Sequence, residues 1–223
     1  MIEKIFIVVI FCLFSVSCQE NSGDRPKQQQ VEQQKEVKKS KSMIFFGDSL
    51  TAGYGLDEPS LAFPGIIQAM LDSAGFGYHV INAGVSGETS SAGVERIDWI
   101  LSKPVDVFIL ELGANDGLRG IPIESTTKNL QTIIDKVKAK NDKARIILTG
   151  MQVPPNMGQR YTSAFKAMFP ELATKNNIEL VPFLLEGVGG EIELNQADGI
   201  HPTIEGHKKV AENVWPYILK VIV

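Results

Sequence analysis

Along the chain, short apolar runs of strand length alternate with stretches whose apolar residues recur every three to four positions. Runs at 43–46, 79–82, 105–111, 145–150 and 179–182 read as strands, and helical spacing falls near 61–74, 90–101, 124–140, 158–176 and 204–221. In the third helical stretch, Leu130, Ile133, Ile134 and Val137 form one apolar face. Strands that are apolar almost throughout, alternating with helices, predict a parallel sheet covered on both faces and joined by right-handed crossovers. The expectation is an α/β fold, a three-layer α/β/α sandwich around a five-stranded parallel sheet. In such sheets ligands bind beyond the carboxyl ends of the strands, so the loops that follow strands are the place to look for chemistry.

The pattern breaks before residue 43. Met1-Ile2-Glu3-Lys4 leads into an apolar run from Ile5 to Val16, too short to span a membrane but of the length of a signal-peptide core. It ends at Ser15-Val16-Ser17-Cys18, small residues before a cysteine, which resembles a bacterial lipoprotein cleavage site. Residues 1–18 are therefore expected to be a lipoprotein signal peptide, with Cys18 lipidated and anchoring the protein to a membrane of the bacterial cell envelope, facing the periplasm or exterior. Residues 19–42 carry two valines and no aromatic, too little apolar surface to offset the cost of ordering, and are expected to be a disordered polar linker. That leaves 43–223 as one domain.

Charge and cysteine content narrow the classes. The net charge of −4 combines +2 in the linker with −6 in the domain, which argues against nucleic acid as a partner. The two cysteines, Cys12 and Cys18, both lie in the signal region, so the domain has no disulfide and no cysteine-based metal site. A monomer is expected, with no cofactor and no metal.

Candidate chemistry begins at Ile44-Phe45-Phe46-Gly47-Asp48-Ser49-Leu50, where a strand-type run ends in glycine and Asp-Ser follows. Ser49 at a strand-to-helix turn is either part of a helix N-cap or a nucleophile, with free N–H groups of the turn beside it. A serine nucleophile needs a base, normally His oriented by a carboxylate. Of the three histidines, His79 lies in a strand-like run and His207 on what reads as a polar, solvated helix face. His201, in Asp198-Gly199-Ile200-His201-Pro202, sits in a loop with Asp198 close enough to hold its Nδ1–H. Two more loops follow strands. Asn82-Ala83-Gly84-Val85-Ser86-Gly87-Glu88-Thr89-Ser90 is glycine-rich, and Glu111-Leu112-Gly113-Ala114-Asn115-Asp116-Gly117 offers a side-chain amide donor at Asn115.

Gly47-Asp48-Ser49-Leu50, Gly87, Gly113-Ala114-Asn115-Asp116 and Asp198-Gly199-Ile200-His201, in this order, resemble the four blocks of the GDSL or SGNH hydrolase family. Within it the chain is most similar to the bacterial arylesterase, acyl-CoA thioesterase I and lysophospholipase L1 branch. Ala52-Gly53-Tyr54, Ser86-Gly87-Glu88-Thr89-Ser90, Asn115-Asp116-Gly117-Leu118-Arg119-Gly120 and Asn156-Met157-Gly158-Gln159-Arg160-Tyr161 carry that likeness. The resemblance implies a flavodoxin-like SGNH fold, Ser49 as nucleophile, His201 as base and Asp198 orienting it. It also implies an oxyanion hole of Ser49 N–H, Gly87 N–H and the Asn115 amide, with Gly84 leaving the backbone donor open to a shift of a few residues. No Gly-x-Ser-x-Gly elbow occurs, against an α/β-hydrolase. The segment Met151–Gly158 is expected to line the pocket, Pro154 and Asn156 binding substrate.

The function implied is hydrolysis of small carboxylic esters or thioesters (lysophospholipid, aryl or short acyl) through an acyl-enzyme. A carbohydrate O-acetyl esterase is the alternative, since fold does not determine substrate. Two other classes are a non-catalytic acyl- or glycan-binding module and a metal-dependent phosphoesterase using Asp48, Asp116, Asp198 and His201.

Overall fold

The computed structural model describes residues 41–223; the stretch expected to be a signal peptide, Cys18, and positions 19–40 of the expected linker lie outside the described residues. Five strands form one parallel sheet: β1 (Lys41–Gly47), β2 (Tyr78–Gly84), β3 (Val107–Glu111), β4 (Arg145–Thr149) and β5 (Glu179–Val181), in the order β2-β1-β3-β4-β5. The helices are α1 (Ser49–Ala52), α2 (Phe63–Ser73), α3 (Ser90–Ile100), α4 (Ala114–Leu118), α5 (Ile123–Lys140), α6 (Gln159–Asn176) and α7 (Ile204–Ile222). The pairing Lys41↔Tyr78 shows that β1 begins two residues inside the stretch read as linker. Backbone pairing to β2 needs no apolar side chain, so Lys41 and Ser42 join the sheet without an apolar signature.

Apolar residues form these strands because the inner ones are covered on both faces. Met43, Ile44, Phe45 and Phe46 of β1 and Phe108, Ile109 and Leu110 of β3 are all buried. Helix α2 packs on β2 and α7, whereas α3, α5 and α6 pack one against the next, giving the two helical layers. The face of α5 built from Leu130, Ile133, Ile134 and Val137 is fully buried, as its spacing requires.

The connection after β1 turns back to β2 on one side, and every later connection moves to the other side. The order therefore reverses between β1 and β3, and the crevice opens beyond the carboxyl ends of these two strands. Ser49 follows β1 and Asn115 follows β3.

Candidate active site

Helix α1 is one turn long and owes its existence to its ends. Asp48 caps it, its Oδ1 accepting the Leu50 N–H at 3.0 Å, and Gly53 closes it in the left-handed region. Asp48 and Ser49 thus divide the two roles: Asp48 is the cap, and Ser49 is the first helical residue. Its N–H has no intrahelical acceptor and its hydroxyl faces the crevice. Gly47 has no room for a Cβ, which would collide with the Thr51 hydroxyl and the Glu111 carboxyl packed beneath the turn.

The segment before α7 brings the base. Asn195 bridges Pro202, and the Gln196 N–H donates to the His201 carbonyl at 2.7 Å, closing a tight loop. Within it Asp198 Oδ1 accepts the backbone N–H groups of Ile200 and His201, each at 3.0 Å. Asp198 Oδ2 lies 2.7 Å from His201 Nδ1, and His201 Nε2 lies 2.9 Å from Ser49 Oγ. The hydrogen bond to the His201 ring, followed by those two N–H groups, lowers the Asp198 pKa to about 2. The Tyr54 ring lies against His201 at 4.6 Å between centroids, and Gln196 Nε2 ties the Tyr54 carbonyl to the loop at 2.7 Å.

Ser49, Gly87 and Asn115 all line one cavity of about 560 Å³ together with His201. Gly87 has φ +78°, a conformation that side chains resist, in the turn closed by Glu88 N–H to Val85 carbonyl at 3.1 Å. Its carbonyl accepts from Arg119 Nη2 at 3.0 Å. The Gly84 N–H, the other candidate donor, is already bonded to Asn82 Oδ1 at 3.0 Å. The Asn115 amide donates one N–H to Asp48 Oδ2 at 3.1 Å, which leaves its second N–H for the cavity. Three donors and a serine–histidine pair around one space can perform acyl transfer.

The rest of the wall is largely apolar: Leu50, Leu118, Val153, Phe183, Leu185 and Ile200. Met151 through Pro155 line it, Pro154 among them; Asn156 does not, because the 3₁₀ turn Pro155–Met157 carries it out to solvent. His207 also departs from expectation. It is 1 % exposed, its Nδ1 accepting the Phe63 N–H at 3.2 Å. Its helical position places it on the stripe Val210, Ala211, Val214 and Ile218, which outweighs its charged sequence neighbours. Phe183 and Leu185 are wall residues that the sequence reading does not identify; the apolar run after β5 is the available signal.

Of the phosphoesterase reading's groups, Asp198 and His201 meet, but among the described residues no three or more His or acidic side chains form a cluster that could hold a metal. Asp116 is buried, taking the Ser90 N–H at 2.8 Å, the Ser90 hydroxyl at 2.5 Å and the Thr126 hydroxyl at 3.2 Å. Asp48 is committed to Leu50 and Asn115.

Residues 45–209 match the family model described as GDSL-like Lipase/Acylhydrolase. The chain belongs to that family. This GDSL-like acylhydrolase is a serine ester hydrolase. It is 41 % identical to the esterase TesA of Pseudomonas aeruginosa over 79 % of this chain and 87 % of that protein. An arylesterase of Vibrio mimicus is 33 % identical over 99 % of both chains. The thioesterase 1/protease 1/lysophospholipase L1 of Escherichia coli is 37 % identical over 77 % of this chain and 80 % of that one. A crystal structure of TesA superposes with a TM-score of 0.77 at 38 % identity, covering 81 % of this chain and 99 % of that one.

Proposed function

We propose that the enzyme hydrolyses carboxylic esters with apolar acyl or aryl groups, with lysophospholipids and small aryl or acyl esters as the substrate classes and thioesters as further candidates. The observation that carries the reading is Ser49 Oγ at 2.9 Å from His201 Nε2, at the floor of an apolar cavity. His201 takes the Ser49 proton as Oγ attacks the carbonyl carbon, and the oxyanion forms against Ser49 N–H, Gly87 N–H and the Asn115 amide. Collapse expels the alcohol, protonated by His201, and leaves Ser49 acylated. His201 then deprotonates a water that attacks the acyl-enzyme, and returns the proton to Ser49 as the acid leaves. Asp198, ionised throughout, keeps the proton on His201 Nδ1 and the lone pair on Nε2.

The apolar wall favours these esters over a sugar O-acetyl group, whose hydroxyl-rich ring would leave its donors unpaired there. Initial rates across p-nitrophenyl esters of increasing acyl length, beside lysophosphatidylcholine and an acetylated sugar, test this. Rates that rise with acyl length support the reading, and a preference for the acetylated sugar overturns it. Ser49→Ala should abolish turnover without changing the thermal melt, because a surface-turn Ser→Ala change costs little stability. Retained turnover in the folded variant would remove Ser49 from its role.

For location, the proposal remains a lipid anchor at Cys18 in the bacterial cell envelope. It is supported by the apolar run from Ile5 to Val16 and by Ser15-Val16-Ser17-Cys18.

A further inference from the structure

One buried acid beside the site has no part in the steps above. Glu111, the last residue of β3, is 1 % exposed. Its Oε2 accepts the Asp48 N–H at 3.1 Å and the Thr51 hydroxyl at 2.8 Å. Asp48 is buried too, its backbone N–H bonded to Glu111, and the two carboxyl groups are near enough that each alters the other's hold on a proton. Two neighbouring carboxylates away from water resist being charged together, which favours one proton on the pair. Its place follows from the donors already present. Both Asp48 oxygens accept an N–H, from Leu50 and from Asn115, whereas Glu111 receives its two donors on Oε2 alone. Glu111 Oε1, with no donor of its own in these contacts, is thus the oxygen suited to carry a proton toward Asp48. Burial first, and then the Asp48 charge, push the Glu111 carboxyl well above its usual range. Asp48 is raised to about 6 by burial, against its N–H donors and the nearby His201.

We propose that Glu111 is a positioning residue for the oxyanion hole: held protonated beneath α1, it hydrogen-bonds the Asp48 carboxylate and so fixes the Asp48–Asn115 contact that aims the Asn115 amide into the cavity. An ionised Asp48 makes a charge-assisted bond to Asn115, and a polarised amide is the better donor through its second N–H. The turn is built around this acid, since Gly47 gives up its Cβ space to the Glu111 carboxyl and Thr51 supplies a hydroxyl to it. The other charged groups facing the pair are His201, from the loop before α7, and Arg96 of α3. Arg96 Nη2 reaches the Gly47 carbonyl at 3.4 Å, while Arg96 itself is paired with Glu88. The inference rests on Asn115 as oxyanion donor.

Steady-state kinetics of the full chain on p-nitrophenyl butyrate, in a double-mutant cycle with Asn115, test it. Glu111→Ala should lower kcat roughly tenfold with KM within about twofold, a fraction of the 10²–10³ that a lost donor itself costs. Glu111→Gln should recover most of that loss, since its amide donates to Asp48 while its carbonyl accepts from Asp48 N–H and Thr51. In the Asn115→Ala background, Glu111→Ala should cost less than about twofold more. Equal losses in both backgrounds, a Gln variant no better than Ala, or an effect on KM alone would overturn the proposal. An Asn115→Ala loss with none in Glu111→Ala overturns this inference only, whereas undiminished kcat in Asn115→Ala overturns the oxyanion reading and this one with it. Circular dichroism melts accompany each variant. Should Glu111→Ala not fold, Glu111→Asp, which withdraws the carboxyl by one methylene, is the variant for the cycle, with the same kcat loss expected.

Discussion

Asp198 uses both carboxylate oxygens. One takes two backbone N–H groups and shapes its own loop; the other takes the His201 ring. With its pKa lowered to about 2, Asp198 remains ionised through the range in which an ester hydrolase is assayed, so its own titration leaves the rate untouched above about pH 4. Asp198→Asn should preserve the fold but turn an amide donor toward His201 Nδ1, forcing the proton onto Nε2 and removing the base from Ser49. A kcat loss of roughly 10³-fold or more is expected, measured on p-nitrophenyl butyrate at pH 8. A loss under tenfold would show that His201 holds its tautomer without Asp198. At this scale Ser49, His201, Asp198, Gly87 and Asn115 were legible because each sits in a short block whose residue types carry the chemistry. Glu111 was not, because its partners Asp48 and Thr51 are some sixty positions away. A lone acid closing an apolar strand says nothing of what it meets.

Helices of eleven residues or more could be placed from spacing, because each repeats its apolar stripe several times. Helices α1 and α4, of four and five residues, could not. They are set by caps and by the sheet edge beneath them, and one turn has no period to read. His207 shows the same contest within α7, where polar neighbours in sequence masked a position on the buried stripe. It joins two elements, since the Phe63 N–H at the start of α2, which has no side-chain cap of its own, donates to His207 Nδ1. Nε2 therefore carries the proton and is buried with no hydrogen-bond partner among the described residues. Burial, with a smaller contribution from His201, lowers the His207 pKa to about 4, against 6.5 unperturbed. The folded state thus favours the neutral ring. Its stability contribution is complete above pH 6.5, falls as the unfolded state gains its proton, and is lost by about pH 4. That difference corresponds to about 3 kcal/mol. Urea unfolding at pH 8, 6 and 5 should show the decline. His207→Leu should be less stable at pH 8, with the Phe63 N–H orphaned, and should lose less than wild type between pH 8 and 5. An equally steep decline in the variant would assign the acid sensitivity to other groups.

At the scale of the whole molecule, the two ends of β1 have different roles in the described domain. The chain enters the described domain at Lys41, at the amino end of β1, and Ser49 lies past the other end of that strand. Seven residues at about 3.3 Å each put roughly 20 Å between the two edges. The fold class was legible because alternating strands and helices admit few parallel arrangements. The cavity's full wall was not, since it is assembled from loops after β1, β2, β3, β4 and β5 whose meeting depends on strand order. The site is built entirely from residues of the described domain, so the lipid anchor proposed at Cys18 is expected to govern location and not turnover. Cys18→Ala should release the enzyme to the soluble fraction or block its processing, while the purified variant keeps wild-type kcat and KM on p-nitrophenyl butyrate. Stable anchoring takes more than one acyl chain, since a single chain binds a membrane only marginally. Intact mass of the detergent-extracted wild type should therefore show a diacylated or triacylated Cys18 at the mature N-terminus. An unmodified N-terminus at any other residue would refute the anchor and leave ordinary export, and a changed kcat in the Ala variant would show that the N-terminal segment bears on turnover.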